Sequence, residues 1–377
     1  MPDPRPNIQA LDPYVPGEQP QGAEARRTVK LNTNESPYPP SPKAVDAMRQ
    51  VAADQLRRYP SPAAIEFCQA AAELHDLALN QVIATNGGDE LLRLVITAFC
   101  EPGSAADPTA PGGIGVTDPT YSLYPVLART HGCPITVAPR TDSFALADDT
   151  AETWNAAGCR VGFVVNPHAP SGRMTDVGTL QRLARAFRGV LVVDEAYVDF
   201  APHDALGLIR GDDGLDNVLV LRSMSKGYGL AGLRLGYGLA RADLIAILHK
   251  TRDSYNVDAV AQAVGAAALK DVAYARTVWQ KVVAERDRLT RALRKHGFTA
   301  PASASNFLLA TCPDAGPSAR ELYQSLKQRG VLVRFFDTPG LDDRLRITIG
   351  TPDQNDRLLD ELADLLSPKA QPAGDAV

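Results

Sequence analysis

Short apolar runs alternate with stretches of helical spacing between about Pro42 and Leu269. Four of the runs have the length of strands and are bounded by polar or glycine residues: Val161–Val165, Val190–Val193, Val218–Leu221 and Leu235–Ala240. Between the first two, Thr179–Phe187 repeats its apolar residues at the spacing of one helical face. Because continuous apolar strands that alternate with helices are typical of sheets covered on both faces, the pattern predicts an α/β fold with a mainly parallel central sheet.

A smaller α+β unit is predicted to follow. A helical pattern from about Tyr274 to His296 ends at Gly297, and glycine is favoured just beyond helix C-termini. Three strand-like and two helix-like segments come next: Phe307–Ala310, Ser318–Arg329, Val331–Arg334, Arg344–Ile349 and about Gln354 to Leu366. We therefore expect an N-terminal arm (1–42), a large domain (43–272), a small domain (273–367) and a tail (368–377) whose Pro, Ala and Gly content predicts disorder.

The composition narrows the class of protein. Of the 377 residues, 45% are hydrophobic and 22% charged, which is typical of a soluble globular protein with a large core. The net charge of −5 comes without a basic block, so no nucleic-acid partner is expected. The five cysteines are scattered without a Cys-x-x-Cys pair, which argues against a disulfide framework and a zinc site. No apolar stretch approaches the ~18 residues of a membrane span, and we expect a cytoplasmic protein with no metal and no membrane partner.

Polar residues follow three of the predicted strands at the point where each strand ends. Asn166 follows the first strand, Asp194 the second and Ser223 the third, with Lys226 close behind Ser223. In open α/β sheets, ligands bind outside the carboxyl ends of the strands. We therefore expect these four side chains to converge on one crevice.

The run from Ser223 to Arg234 suits the binding of a phosphorylated aldehyde. The Lys226 amine can form an imine with the carbonyl, while Ser223, Ser225 and Arg234 bind the phosphate. Pyridoxal 5'-phosphate (PLP) is the common cofactor of that shape, and it is held through a lysine Schiff base.

Further residues suit the rest of that cofactor. Asp194 would keep the pyridine nitrogen protonated, and Asn166 and Tyr197 would donate hydrogen bonds to the phenolate oxygen. Lys226, once displaced by substrate, would act as the base.

A glycine turn before a predicted helix offers a second phosphate contact. Backbone N–H groups of Gly88, Asp89 and Glu90 would lie at the N-terminus of that helix, where anions bind. Tyr121 could stack on the pyridine ring. Taken singly these signals are weak, since Ser-x-Ser-Lys and glycine turns are common. His168 and His249 are interpreted as loop and surface residues rather than ligands. Their order along one sheet edge is what favours a cofactor site.

Together these motifs resemble the class I/II aminotransferases of PLP fold type I, and in particular the histidinol-phosphate aminotransferases. The matching segments cover nearly the whole chain: L-N-T-N-E-S-P-Y (31–38), R-Y-P (58–60), G-G-D-E-L (87–91), D-P-T-Y-S-L-Y (118–124), V-V-D-E-A-Y-V-D-F (192–200), S-M-S-K (223–226), Y-N-V (255–257), S-N-F (305–307), G-V-L-V-R (330–334) and L-R-I-T-I-G-T (345–351).

The resemblance implies a homodimer, with an N-terminal arm that packs against the small domain and the dimer partner. It implies that Tyr59 reaches the cofactor phosphate of the partner subunit and that Arg346 pairs with the α-carboxylate of the amino donor. It further implies that Tyr38, Asn256 and Arg334, with Arg346, surround the phosphate end of the acceptor.

The sequence departs from the family pattern in three places. N-P-H-A-P-S-G (166–172) replaces the usual N-P-N-N-P-T-G, so that His168 and Ala169 are unusual. Gly88 replaces a common serine, which leaves only backbone donors there. The stretch 104–115 looks longer than the usual link. These departures leave the substrate preference open.

Three hypotheses follow. The first is a histidinol-phosphate:2-oxoglutarate aminotransferase of L-histidine biosynthesis, working by a ping-pong mechanism through pyridoxamine phosphate. The second keeps the scaffold but changes the reaction, to a transaminase of aromatic or other amino acids or to a phosphothreonine-type decarboxylase. The third is a non-catalytic PLP-fold module that senses a ligand, and the complete set of Lys226, Asp194, Asn166 and Tyr197 argues against it.

Overall fold

The computed structural model describes residues 2–12, 17–22, 27–103 and 112–367. The predicted disordered tail (368–377) and most of the predicted long loop (104–115) lie outside the described residues. The chain forms two compact units, which we describe separately. The first comprises Met1–Pro16, Glu35–Lys281 and Ala302–Asn306, and the second Gly17–Asn34, Val282–Pro301 and Phe307–Val377, as far as these ranges are described.

Both units contain α-helices, most of them in the first unit. Within the described ranges they are α1 (Pro6–Gln9), α2 (Pro42–Gln50), α3 (Ala53–Leu56), α4 (Ile65–His75), α5 (Gly88–Phe99), α6 (Leu123–His131), α7 (Thr150–Ala156), α8 (Val177–Ala186), α9 (Ala242–His249), α10 (Ala259–Lys270), α11 (Val272–Lys295), α12 (Ala319–Gln328) and α13 (Pro352–Leu366). Short 3₁₀ turns occur at Leu79–Gln81, Val198–Phe200, Leu206–Leu208 and Ala231–Leu233.

The strands of the described residues form three sheets. They are β1 (Val29–Lys30), β2 (Val82–Thr85), β3 (Ile114–Asp118), β4 (Ile135–Pro139), β5 (Val161–Val165), β6 (Val190–Asp194), β7 (Val218–Ser223), β8 (Gly236–Leu239), β9 (Phe307–Thr311), β10 (Val331–Leu332), β11 (Arg334–Phe335) and β12 (Arg344–Thr348).

A seven-stranded sheet organises the first unit. Its strand order is β2-β8-β7-β6-β5-β3-β4, and every neighbouring pair is parallel except those that β8 makes with β2 and β7. All five residues of β5 and all five of β6 are buried, as expected for strands covered on both faces. The predicted α/β fold with a mainly parallel sheet is confirmed.

The core of this unit follows from the predicted pattern. Helix α8 buries Leu180, Leu183 and Ala184 on one face, and Phe187 just beyond it is also buried. These side chains belong to the same apolar cluster as Leu191 and Val193 of β6. Burying an aliphatic side chain of this size contributes about 1.5–3 kcal/mol to folding. The apolar face of α8 therefore favours packing against the sheet.

The second unit has two small sheets. Strands β11, β12 and β9 form an antiparallel sheet in that order, while β1 pairs in parallel with β10. The segment Val331–Arg334, predicted as one strand, is divided between these two sheets because Val331 pairs with Val29 and Arg334 with Arg346. The boundary between the two units, at Lys281 and Val282, falls within α11. The predicted limits at 42 and 272 therefore stay a prediction.

Candidate active site

The ends of β5, β6 and β7 lie side by side in the large sheet. Val165 is in register with Asp194, and Asp194 with Leu221. The backbone N–H of Asn166 donates to the Asp194 carbonyl oxygen at 2.8 Å. The structure thus brings Asn166, Asp194 and the end of β7 to one edge of the sheet, as the strand pattern predicted.

Asp194 is buried and accepts two hydrogen bonds. The Tyr124 hydroxyl donates to Oδ2 at 2.7 Å, and the backbone N–H of Ala196 donates to Oδ1 at 3.1 Å. Burial nevertheless raises the pKa of Asp194 to about 6, while these two bonds and the charge of Lys226 act in the opposite direction.

The sequence reasoning did not single out Tyr124, whose hydroxyl donates to Asp194. It is fully buried, its ring stacks on Phe163 with centroids 4.7 Å apart, and burial raises the pKa of its hydroxyl well above the usual value. It therefore stays protonated and acts as a donor to Asp194. The signal was present in D-P-T-Y-S-L-Y, where Tyr124 follows Tyr121 at helical spacing.

The loop that carries Lys226 is held by backbone contacts. The N–H of Ser225 donates to Ser223 Oγ at 3.1 Å, and the N–H of Leu230 donates to the Met224 carbonyl at 3.1 Å. The Trp279 indole N–H donates to the Gly227 carbonyl at 2.8 Å. Lys226 itself is half-buried. Its amine is therefore presented from a fixed loop close enough to Asp194 to influence its pKa.

A buried ion pair joins the strand ends behind this loop. Arg222 Nε lies 2.9 Å from Glu195 Oε2, and its Nη2 lies 3.0 Å from Asp204 Oδ2. Burial raises the pKa of Glu195 to about 7, and the attraction of Arg222 opposes that shift. Removal of one partner from such a pair leaves a buried charge without compensation, so the pair ties β6 to β7.

The N-terminus of α5 meets Arg234. Gly87, the N-cap, has φ of +79°, and a Cβ there would lie 2.8 Å from Arg234 Nη2. Arg234 Nη2 also donates to Asp89 Oδ2 at 3.2 Å, while the Tyr121 hydroxyl donates to Asp89 Oδ1 at 3.4 Å. The first N–H groups of a helix lack intrahelical acceptors, so α5 and Arg234 together suit an anion such as a phosphate.

Glu90 and Asn256 are joined to each other. Asn256 Nδ2 donates to Glu90 Oε2 at 2.8 Å and to the Ala84 carbonyl at 3.1 Å, and Asn256 Oδ1 accepts from Arg252 Nη1 at 2.8 Å. The predicted substrate contact Asn256 thus supports the turn before α5. Its contact with substrate stays a prediction.

Asn166 is clamped by the backbone of Thr175. Its Oδ1 accepts from the Thr175 N–H at 2.8 Å and its Nδ2 donates to the Thr175 carbonyl at 3.2 Å. One hydrogen of Nδ2 remains beyond that bond, which is what a contact to a phenolate oxygen requires. Tyr197, half-buried at the start of a 3₁₀ turn, is near enough to influence the pKa of Tyr124.

Two further predicted contacts, Tyr59 and Tyr38, belong to the first unit. Tyr59 is 81% exposed and stacks on Tyr255, with ring centroids 4.5 Å apart. Tyr38 lies under the Lys281 ammonium, which is 5.4 Å from the ring centroid. Neither position tests the role that the sequence predicted.

The second unit carries two arginines directly opposite each other. Arg334 of β11 is in register with Arg346 of β12, and both guanidinium groups lie over the Phe336 ring, at 5.6 and 5.5 Å from its centroid. Arg346 Nη2 donates to the Asn32 carbonyl at 3.0 Å. Like charges directly opposite on paired strands destabilise a sheet, so this arrangement favours an anionic ligand.

The side chains of the first unit match the chemical groups of PLP. A buried carboxylate whose pKa is raised by burial suits a pyridinium N–H, a helix N-terminus with an arginine suits a phosphate, and a half-buried lysine suits an aldehyde. Within the described ranges, no cluster of His, Cys, Asp or Glu side chains could hold a metal ion. None of the helices described is long and apolar enough to cross a membrane.

Comparison with known proteins identifies the family. The sequence model of the family described as aminotransferase class I and II matches residues 26–362, and the chain belongs to that family. Within it, the chain is 43% identical over 362 residues to histidinol-phosphate aminotransferase 1 of Nostoc sp., covering 96% of this chain and 98% of the relative. It is 42% identical to histidinol-phosphate aminotransferase 1 of Trichormus variabilis over the same shares of both chains.

A solved structure agrees with these relatives. The histidinol-phosphate aminotransferase from Sinorhizobium meliloti, in complex with pyridoxal-5'-phosphate, superposes with a TM-score of 0.84 at 27% identity. The match covers 96% of both chains. The resemblance to PLP fold type I aminotransferases is confirmed.

Proposed function

We propose that this protein is a PLP-dependent aminotransferase that converts histidinol phosphate and 2-oxoglutarate to imidazole acetol phosphate and glutamate, in L-histidine biosynthesis. The observation that carries the proposal is Asp194, a buried carboxylate with a raised pKa that accepts a hydrogen bond from Tyr124 and is influenced by the charge of Lys226. The names of the relatives supply the substrate.

Different residues of the first unit would bind different parts of the cofactor. We propose that the N–H groups of Gly88, Asp89 and Glu90 hold the phosphate, with three side chains from the Lys226 run: Ser223, Ser225 and Arg234. Asp194 pairs with the pyridine nitrogen, Tyr121 stacks on the ring, and Asn166 and Tyr197 donate to the phenolate oxygen. When bound, PLP supplies an electrophilic aldehyde and a ring that accepts the electron pair of the substrate Cα–H bond.

Each catalytic side chain then has one task. Asp194 holds a proton at the pyridine nitrogen, and Tyr124 keeps the Asp194 carboxylate oriented for that contact. The Lys226 amine, once displaced by the substrate, would act as the base that carries the proton from the substrate Cα to the aldehyde-derived carbon of the cofactor. Tyr197 and Asn166 fix the ring so that the bond to be broken stays aligned.

The substrate is selected by positive charge. We propose that the fork of Arg346 binds the α-carboxylate of the amino acid and that Arg334, with Tyr38 and Asn256, binds the phosphate of histidinol phosphate. The face-to-face register of Arg334 and Arg346 supports a substrate with two anionic groups.

We further propose a cytoplasmic homodimer. The 81% exposed Tyr59 supports a contact outside its own subunit, which the resemblance assigns to the cofactor phosphate of the partner.

Lys226 tests the reaction class. Replacement by alanine removes the amine, so we expect the visible absorbance of lysine-bound PLP and all transamination of histidinol phosphate to be lost. Lys226→Arg keeps the charge but not the nucleophile and serves as the control, with the same expected loss. A variant of either kind that keeps the visible band would contradict the assignment.

Arg334 tests the substrate. Loss of a charge-assisted contact to phosphate is expected to raise the KM for histidinol phosphate at least about tenfold in Arg334→Gln, with a change of less than about threefold for phenylalanine. Arg344→Gln removes a charge from the same sheet, where Arg344 is bonded to Asp343 at 2.9 Å, and is the matched control. If the wild-type protein converts phenylalanine faster than histidinol phosphate, the aromatic transaminase hypothesis replaces ours; if it releases carbon dioxide from phosphothreonine, the decarboxylase hypothesis does.

A further inference from the structure

His168 lies fully buried between two loops at the carboxyl edge of the sheet. Its Nε2 is 2.9 Å from the Pro119 carbonyl oxygen, and its Nδ1 is 2.7 Å from Ser171 Oγ. The first contact reaches the loop after β3, and the second stays within its own loop after β5. The sequence reasoning placed His168 in a loop at the surface; the loop is confirmed, but the surface position is wrong because both ring nitrogens find partners inside.

The protonation state of the ring follows from these partners. Burial and the nearby charge of Arg140 hold the pKa of His168 well below its usual value, so the ring is neutral. A carbonyl oxygen can only accept, so Nε2 carries the hydrogen and donates to Pro119. Nδ1 then accepts from the Ser171 hydroxyl, which itself accepts the N–H of Arg173 at 3.2 Å. The direction of every bond in this chain is therefore fixed.

The Pro119 loop carries the residues around Asp194. Tyr121 follows Pro119 by two positions, and the Tyr124 N–H donates to the Tyr121 carbonyl at 3.2 Å. Tyr124 in turn donates to Asp194, and Tyr121 to Asp89. The His168 side chain links this loop to the Asn166 loop through Pro119.

The loop of His168 is itself rigid. The His168 N–H donates to the Arg173 carbonyl at 2.7 Å, and the Gly172 N–H donates to the His168 carbonyl at 2.6 Å. Asn166, two residues earlier, is clamped by Thr175. A ring anchored in such a loop can hold a neighbouring segment in place.

We infer that His168 is a positioning residue, which holds the Pro119–Tyr124 segment so that Tyr124 and Tyr121 meet Asp194 and Asp89 in the arrangement that receives the cofactor. It acts through the Nε2–H bond to Pro119 and touches neither substrate nor cofactor. The role in catalysis rests on the proposed function, whereas the structural role does not.

Two substitutions of His168 test the hydrogen bonds of its two ring nitrogens separately. In His168→Gln, the amide nitrogen can take the place of Nε2 and keep the bond to Pro119. In His168→Asn, the shorter amide can reach Ser171 but not Pro119. His249→Asn, on the exposed side of α9, makes the same chemical change away from the site.

Hydrogen exchange of the full chain without PLP measures the structural role. In His168→Asn we expect amides of the peptide 119–124 to exchange about tenfold faster than in the parent, equivalent to about 1.4 kcal/mol, because the Pro119 carbonyl is left without its partner. His168→Gln and His249→Asn are expected to stay within about threefold of the parent. Unchanged exchange in His168→Asn, or equal acceleration in His168→Gln, would overturn the inference. If His168→Asn does not fold, the Gln variant decides alone, since fast exchange at 119–124 in a folded Gln variant also overturns it.

A double-mutant cycle tests the link to Asp194. The dissociation constant of PLP is measured for His168→Asn, for Tyr124→Phe and for both together. Because His168 is inferred to act on Asp194 through Tyr124, the combined loss of affinity is expected to be smaller than the product of the single losses by at least about threefold. Independent, multiplicative losses would show that His168 does not act through Tyr124. Neither measurement needs turnover, so a failed substrate assignment would leave both results interpretable.

Discussion

At the scale of the residue, burial makes the ionised form of the Asp194 carboxyl unfavourable in the chain without cofactor. Its pKa of about 6, against 3.8 for an ordinary aspartate, means that the folded chain binds a proton here more tightly than the unfolded chain. The contribution of Asp194 to the free energy of unfolding is therefore fully present below about pH 4 and is lost as the pH rises through about 6. One pKa unit corresponds to about 1.4 kcal/mol.

This shift predicts the behaviour of Asp194→Asn without PLP. Between pH 5 and pH 7.5, the parent is expected to lose about 1 kcal/mol more in free energy of unfolding than the variant, which has no carboxyl to ionise. Chemical denaturation of both chains at the two pH values measures the difference. Glu195, whose pKa is raised to about 7, contributes the same dependence to both chains and cancels. Equal losses in parent and variant would mean that Asp194 is not the group responsible.

At the scale of the element, the start of α5 has two adjacent glycines in different environments. Gly87 has a positive φ and faces Arg234, whereas a Cβ on Gly88 would lie 3.2 Å from Leu221 Cδ2, and Gly88 lacks a positive φ. The first position thus depends on glycine for both its backbone and its space, and the second does not.

The two glycines give a matched pair of variants. Gly87→Ala strains the N-cap and displaces the Arg234 guanidinium, so we expect the dissociation constant of PLP to rise at least about tenfold. Gly88→Ser restores the residue common in the family and is expected to change it less than about threefold, since the Leu221 side chain can move by a few tenths of an ångström. Titration of the unliganded chain with PLP measures both. A larger loss in Gly88→Ser than in Gly87→Ala would contradict this account of the phosphate site.

Some of the elements could be predicted from the sequence, whereas the pairing of others could not. Strand β5 and the long helix α11 were predicted to within two residues because their periodic patterns are local. The division of Val331–Arg334 between two sheets depends on pairing with Val29 and Arg346, which are far away in the chain. Strand β8 was predicted as a strand, but its antiparallel direction follows from its neighbours and not from its own residues.

The same distinction holds for the site. Asn166, Asp194 and Ser223 could be placed together because the carboxyl ends of parallel strands meet at one edge. Tyr124 and His168 could not, since their functions depend on single hydrogen bonds between loops, to Asp194 and to Pro119. The roles of Tyr59, Arg334 and Arg346 came from the family resemblance alone and stay predictions.

At the scale of the whole molecule, the proposed dimer has a measurable consequence. In a symmetric pair, each site would combine Lys226 of one subunit with Tyr59 of the other. Lys226→Ala and Tyr59→Ala homodimers are then both impaired at both sites. A mixed dimer keeps one intact site, formed by Lys226 of one chain and Tyr59 of its partner.

Mixing of the two variants tests this arrangement. After subunit exchange at equal concentrations, half of the dimers are mixed and each carries one intact site, so about a quarter of the wild-type activity is expected to return. Transamination of histidinol phosphate before and after mixing measures it. Lys226→Ala mixed with Lys226→Arg is the control, since no combination of these chains has an intact site. Mixing without any gain would place Tyr59 in the site of its own subunit or outside the site.

If Asp194 pairs with the pyridine nitrogen as proposed, its buried carboxylate would also link the amount of this protein to the supply of cofactor. A cofactor that brings a cation to Asp194 stabilises the folded chain by an amount that grows with the logarithm of its free concentration. A difference of 1–2 kcal/mol in stability is enough to change the cellular abundance of a protein several-fold through proteolysis. In a cell short of vitamin B6, we therefore expect the chain itself to become scarcer, so that the loss of enzyme exceeds the loss of cofactor.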